Sequence, residues 1–119
     1  MIARMRWPVG GALALALLAT APASAAVQSL RIHGYVIEQT CYGQDLFVDM
    51  SAIAESSSQP VRFRWDFDNN GRWDTPPRTD PFERPVYVGD GQRIKVRVGA
   101  RNPGGDRAQD TFAFTAVDC

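Results

Sequence analysis

Alternation of apolar and polar side chains with a period of two is the sequence feature that most constrains this chain. It recurs beyond residue 25, where no window sustains apolar residues at helical spacing. Each alternating segment places one face in a core and the other in water. The segments are 30–36, 48–52, 61–67, 94–100 and 112–116. The pattern therefore predicts an all-β fold.

Turn-forming residues separate these segments at a spacing typical of a β-sandwich. They occupy positions 41–44, 56–60, 89–91 and 102–106. A short strand before the glycines at 89–91 is predicted to form a hairpin with the segment that follows them. The longest connection, 68–84, contains several prolines and is predicted to be a surface loop. The pattern gives six or seven strands.

The first 25 residues have the three parts of a secretory signal peptide. Arg4 and Arg6 supply positive charge, an apolar stretch covers 9–19, and Ala23-Ser24-Ala25 ends the segment with small residues. The apolar stretch is shorter than the about 20 residues that span a bilayer. We therefore predict cleavage before Ala26, although cleavage after Ala23 and a buried N-terminal helix are alternatives. Residues 1–25 form the signal peptide and residues 26–119 one domain, exported to the periplasm or secreted.

The charge balance excludes two classes of protein. The 119 residues contain 13 Lys+Arg and 13 Asp+Glu, a formal net charge of 0. Loss of the signal peptide would remove two arginines and leave a mature charge of about −2. A strongly basic nucleic-acid binder and an acidic disordered tail are therefore excluded, and we predict no nucleic-acid partner.

The two cysteines, Cys41 and Cys119, both lie in the predicted mature domain. Exported proteins meet an oxidising compartment, so we predict a disulfide between them. It would close a loop of about 80 residues and restrict the unfolded chain. Two free thiols, or an intermolecular bridge through Cys119, are the alternatives.

Five segments in order resemble the PKD domain family, immunoglobulin-like modules of extracellular proteins. The most specific is the Trp-Asp-Phe word at 64–68, which continues into an acidic turn at 69–74. The segments 48–52, 87–91 and 102–105 are similar to other parts of the family pattern. The match covers roughly 28–117, and the long loop before Pro85 departs from it.

The resemblance implies an immunoglobulin-like β-sandwich of about seven strands. In such folds the first and last strands can run parallel, which would bring Cys41 and Cys119 to one end. Trp65 would be the buried tryptophan of the third strand. The predicted core comprises Phe63, Trp65, Phe67, Val96, Phe112 and Phe114.

The acidic turn after the Trp-Asp-Phe word has the spacing of the first part of a calcium loop. Alternate oxygen ligands and a central glycine are features that Ca²⁺ sites use. The predicted ligands are Asp66, Asp68, Asn70, Arg72 through its backbone carbonyl, and Asp74. Pro77 stands where an EF-hand has its bidentate glutamate, so this is not an EF-hand. The alternative is a turn held by its own hydrogen bonds, with Asn70 and Gly71 in left-handed conformations.

A basic stripe is the second candidate site. If 61–67 and 93–100 are neighbouring strands, their outward residues share one face of a sheet. This face would carry Arg62, Arg64, Arg93, Lys95 and Arg97, with Trp73 as an aromatic ring able to stack on sugars. It could bind an anionic glycan or an acidic protein surface. The alternative is a solvated face that prevents edge-to-edge aggregation.

These observations predict a non-catalytic binding module, a monomer or weak oligomer without a membrane span. Its partner would be a protein or a polysaccharide, with Ca²⁺ as a structural ion. An accessory periplasmic subunit of an envelope complex is the second interpretation. A hydrolase using Asp66 and Asp68 is the third, and the lone His33 belongs to no nucleophile motif.

Overall fold

The computed structural model describes residues 29–119, and the predicted signal peptide lies outside this part of the chain. The described residues form strands without helices, which confirms the all-β prediction. No segment of 29–119 is a helix long and apolar enough to cross a membrane. The six strands are β1 (Leu30–Tyr42), β2 (Asp45–Ser56), β3 (Arg62–Asp66), β4 (Val86–Val88), β5 (Arg93–Arg101) and β6 (Arg107–Thr115).

The strands form two antiparallel sheets, with orders β1-β2-β4 and β3-β5-β6. The described residues thus form six strands, whereas about seven were predicted. The proline-containing connection 68–84 makes only isolated bridges, Phe63 with Arg78 and Met50 with Glu83. Proline has no N–H to donate to a ladder, so this segment cannot pair continuously.

One apolar core lies between the sheets. The first sheet contributes Leu46, Val48 and Met50, all fully buried, because successive side chains point to opposite faces. The second sheet contributes the buried residues Phe63, Trp65, Val96, Val98 and Phe114. Phe67 and Phe112 are partly buried and pack against this cluster. The two-layer arrangement is compatible with the predicted β-sandwich.

Trp65 is the largest fully buried side chain. Phe67 stacks on it with ring centroids 6.1 Å apart, and Phe112 meets it edge-on at 6.2 Å. Such aromatic pairs add to the free energy of burial. Trp65 therefore fixes the third strand against the core.

β1 and β6 lie side by side where the two sheets meet. The Gly34 N–H donates to Asp110 Oδ2, and the Gln39 side chain bonds the backbone of Thr115 and Val117. These contacts advance in the same direction along both strands. Their ends therefore meet, and the predicted disulfide between Cys41 and Cys119 is confirmed, with Cα atoms 5.8 Å apart.

Candidate functional site

The outer face of the β3-β5-β6 sheet is strongly basic, and we call it the basic face. The residues of this outer face can be identified from the buried inner ones, Phe63, Trp65, Val96 and Val98. Their neighbours along each strand must point outward. The structure places all five cations of the predicted stripe on this face and adds Arg101 and Arg107. The basic face comprises Arg62, Arg64, Arg93, Lys95, Arg97, Arg101 and Arg107.

Three of these residues form a row across the strands, which we call the arginine row. Arg62 of β3 pairs with Arg101 of β5, and Arg101 pairs with Arg107 of β6. Neighbouring strands are about 4.8 Å apart, so three positive charges stand in direct succession. Like charges directly opposite one another destabilise a sheet by about 0.2–1 kcal/mol per pair. Arg107 could not be predicted for this face, because its position beside Arg101 depends on the register of the β5-β6 hairpin. Arg101, by contrast, continues the alternation of Arg93, Lys95 and Arg97.

Trp73 folds back from the loop after β3 and packs on the basic face. The guanidinium carbons of Arg97 and Arg64 lie 3.9 and 4.7 Å from its ring centroid. Gly99 makes this possible, because a Cβ there would lie 2.7 Å from the ring atom Cη2. Two cations thus contact the half-buried ring, an attractive arrangement for its π system. Its first role is to attach the loop to the sheet.

Asp66 is the fully buried carboxylate of the face. Its Oδ1 accepts the Asn70 N–H at 3.1 Å, and its Oδ2 accepts the Gly71 N–H at 2.9 Å and Arg97 Nη2 at 3.0 Å. Burial raises the pKa of Asp66, but these hydrogen bonds outweigh burial and leave the pKa below its ordinary value. Asp66 therefore remains ionised and neutralises Arg97.

The other six cations of the basic face form no ion pair with a carboxylate in residues 29–119. The ion pairs of arginine there join Arg31 to Glu55, Arg78 to Glu83, Arg84 to Asp49 and Arg97 to Asp66. The free charge is therefore concentrated on one sheet. A shallow groove of about 200 Å³ crosses this sheet, and its lining includes Arg62, Arg64, Trp73, Arg101, Arg107 and Gln109.

The acidic turn brings three carboxylates together. Asp66, Asp68 and Asp74 offer oxygen atoms within 4.8 Å of one another. Many oxygens of this turn already accept hydrogen bonds, since Asp74 Oδ2 holds the Phe67 N–H and Asn70 Oδ1 holds the Arg72 N–H. Calcium prefers six to eight oxygen ligands, whereas Asp66 Oδ2 already accepts a hydrogen bond from Arg97, whose positive charge opposes a second cation at this carboxylate. The geometry is that of a hydrogen-bonded turn, and calcium binding stays a prediction.

The turn differs in detail from the sequence-based expectation. Its left-handed residues are Asn69, with φ of 54°, and Gly71, with φ of 91°, whereas Asn70 was expected to be one of them. Tyr87 of β4 donates its hydroxyl to the Phe67 carbonyl at 2.7 Å. Burial, with the nearby charges of Asp68 and Asp74, raises the pKa of Tyr87, so the hydroxyl keeps its proton. Tyr87 therefore stabilises this turn through its hydrogen bond to Phe67, a role that the sequence pattern did not predict.

His33 lies away from the basic face. Its exposed ring stands with Nδ1 3.5 Å from Asp110 Oδ2, and it stacks on Tyr35. Asp110 also holds the Gly34 N–H, so this pair helps to fix β1 beside β6. His33 therefore contributes to the contact between β1 and β6.

Comparisons of the chain with protein-family models, curated proteins and solved structures find no match. The function is therefore argued from the site.

Proposed function

We propose that this chain is a small exported, non-catalytic, PKD-like module that binds an acidic partner through its basic face. The partner is a protein or a polysaccharide at the cell envelope or outside the cell. The observation that carries the proposal is a group of six cations on one face, none of which pairs with a carboxylate of residues 29–119, in a chain whose formal net charge is 0. Charge segregated in this way steers an oppositely charged partner to one face.

The order of the strands supports an immunoglobulin-like topology. In immunoglobulin domains, strands A, B and E share one sheet and strands C, F and G share the other. The orders β1-β2-β4 and β3-β5-β6 correspond to these sets, with the loop 68–84 in place of strand D. Trp65 on β3 occupies the place of the strand C tryptophan. The disulfide supports export, because such bonds persist in oxidising compartments.

Co-sedimentation with isolated cell envelopes of the source organism tests the proposal. The wild-type protein should sediment with the envelopes, and the double variant Arg62→Gln/Arg101→Gln should lose most of this binding. The matched control is Arg31→Gln/Arg84→Gln, which removes two arginines outside the basic face that pair with Glu55 and Asp49. Equal sedimentation of both double variants and the wild type would refute a role for the basic face.

An apolar patch on the first sheet favours a second candidate, an accessory subunit of an envelope complex. Tyr42 and Val88 are 65% and 66% exposed, and Val86 and Phe47 lie beside them on the same face. Such a patch is typical of a protein contact. Val88→Lys should abolish association with a protein partner in chemical cross-linking and leave binding through the basic face unchanged.

A further inference from the structure

The arginine row is unfavourable in the free protein. Arg62, Arg101 and Arg107 stand on adjacent strands, and no carboxylate of residues 29–119 pairs with any of them. Elsewhere in the same part of the chain, Arg31, Arg78 and Arg84 each have a carboxylate within 3 Å. A few exposed charges are enough to keep a sheet from aggregating, so solubility does not require three adjacent arginines. The concentration of charge therefore points to an external anion.

The arginines are presented in a form suited to oxyanions. A guanidinium carries its N–H donors in its plane and can bind a carboxylate or sulfate through two parallel hydrogen bonds. The guanidinium carbon of Arg64 lies 4.7 Å from the ring centroid of Trp73, a cation–π contact that restrains this side chain. Arg64 follows the row by two residues along β3, about 6.7 Å away. The row and Arg64 thus form a regular array of donors beside the groove.

The surroundings of the array favour a sugar polymer over a protein. Protein interfaces depend on exposed apolar or aromatic side chains that become buried at their centre. The exposed large apolar residues of the described chain lie on the first sheet, in the loop 68–84 or after β6. They are Ile37, Tyr42, Ile53, Phe82, Val86, Val88 and Val117. The basic face offers instead a polar surface that carries several positive charges and is crossed by a shallow groove.

We propose that the arginine row and Arg64 bind the acidic groups of successive residues in a linear anionic polysaccharide that lies across the strands. This inference rests on the proposed function and identifies its partner class. The shared chemistry is a polymer with one carboxylate or sulfate on most sugar residues. Trp73 positions Arg64, whose guanidinium carbon lies 4.7 Å from its ring centroid.

Isothermal titration of the full chain with three polysaccharides, and with polyglutamate as an acidic polypeptide, tests the proposal. Polygalacturonate supplies carboxylates, dextran sulfate supplies sulfates, and neutral dextran controls for the sugar backbone. At least one anionic polymer should bind, neutral dextran should not, and affinity should fall as salt rises. Arg101→Gln should weaken binding about tenfold, as expected for loss of a charged hydrogen bond.

Arg93→Gln is the matched control, because it makes the same change on the same strand and face, at the end remote from the row. It should alter affinity less than about threefold, since it removes long-range charge alone. The melting midpoint of Arg101→Gln should equal or exceed that of the wild type, because a like-charge neighbour is removed. A lowered midpoint would show a structural role for Arg101 and overturn the proposal.

Three other outcomes would also overturn it. Equal losses of affinity in Arg93→Gln and Arg101→Gln would show that the polymer is attracted by the overall charge of the face and not by the arginine row. The proposed function would then still hold. Tighter binding of polyglutamate than of either polysaccharide would indicate an acidic protein partner, again within the proposed function. Absence of binding to all of these polymers would remove the polysaccharide, whereas only failed envelope co-sedimentation would remove the proposed function as well.

Discussion

Asp66 is the residue on which the turn and the basic face both depend. Its two carboxylate oxygens hold two backbone N–H groups of the turn and the Arg97 guanidinium, and its side chain is fully buried. Arg97 in turn stacks on Trp73. Loss of the Asp66 charge should therefore affect the loop, the tryptophan and the sheet together.

Asp66→Asn should lower the free energy of unfolding by about 3 kcal/mol, the cost of breaking a buried ion pair. The amide group would place N–H donors against those of the turn or of Arg97. Urea denaturation of the folded domain measures the change. Asp68→Asn is the control, because Asp68 is exposed and should shift stability by about 0.5 kcal/mol or less. Equal effects of the two substitutions would contradict this role of Asp66.

Asp66 should make the free energy of unfolding fall as the pH is lowered. Its pKa in the folded protein lies below the ordinary value of 3.8, so the unfolded chain binds the proton first as pH falls. The stabilisation is complete above the ordinary pKa and is lost as pH falls through the folded pKa. The free energy of unfolding should therefore decline from about pH 4 downward, and less steeply in Asp66→Asn. Parallel profiles for the two proteins, measured by urea titration, would argue against this.

The side of the sheet on which each residue lies could be predicted from alternation alone, because the period of a strand is two. Phe63, Trp65 and Val96 were assigned to the core in this way, and Arg62 and Arg64 to the surface. The pairing of Asp66 with Arg97 could not be predicted, since it depends on the register of β3 against β5 across 31 residues. The spacing of ligand-type residues predicted a calcium site at this turn, but it could not predict the contact of Arg97 with Asp66.

At the scale of elements, the loop 68–84 is held to β5 by one tryptophan over one glycine. Gly99→Ala should displace Trp73, because the new Cβ would lie 2.7 Å from Cη2. We expect a loss of about 1–3 kcal/mol and a change in tryptophan fluorescence. Gly104→Ala is the control, because its Cβ would lie 3.4 Å from the nearest atom. Unchanged fluorescence in Gly99→Ala would show that the ring does not rest on this glycine.

The acidic turn gives a second prediction at this scale. Calcium at this turn would compete with the Arg97 guanidinium for Asp66, whose oxygens also accept the N–H groups of Asn70 and Gly71. Millimolar calcium should therefore raise the melting midpoint by less than about 2 °C, whereas a site at ~100 times its Kd would give roughly 10–20 °C. Thermal melts with calcium and with chelator measure this. A large shift that Asp68→Asn abolishes would establish a calcium site.

The turns and hairpins could largely be predicted, whereas the lateral order of charges could not. The glycines at 89–91 and 102–106 mark the ends of β4, β5 and β6, as expected. The arginine row requires both registers, β3 with β5 and β5 with β6. The proline-containing connection was expected as a loop, and the structure adds the isolated bridges that hold it.

Across the whole molecule, the disulfide and the arginine row lie at opposite ends of the second sheet. The row is at the end where β5 continues into β6, and Cys119 follows the other end of β6. The apolar patch of Tyr42 and Val88 lies beside the disulfide, because Tyr42 follows Cys41 and the N–H of Cys119 donates to the carbonyl of Gly89, which follows Val88. The two candidate surfaces are therefore separate, and each can be changed without the other.

Reduction of the disulfide tests this separation. The bond joins residues 78 apart, so its loss should lower the free energy of unfolding by about 4 kcal/mol and the midpoint by roughly 15–30 °C. Reductant should have no effect on Cys41→Ser/Cys119→Ser, which controls for the reagent. Below its lowered midpoint, the reduced protein should keep its affinity for an anionic polymer within about twofold, since salt screens charges beyond roughly 10 Å. Loss of that affinity in a folded, reduced protein would show that the disulfide end and the arginine row are coupled.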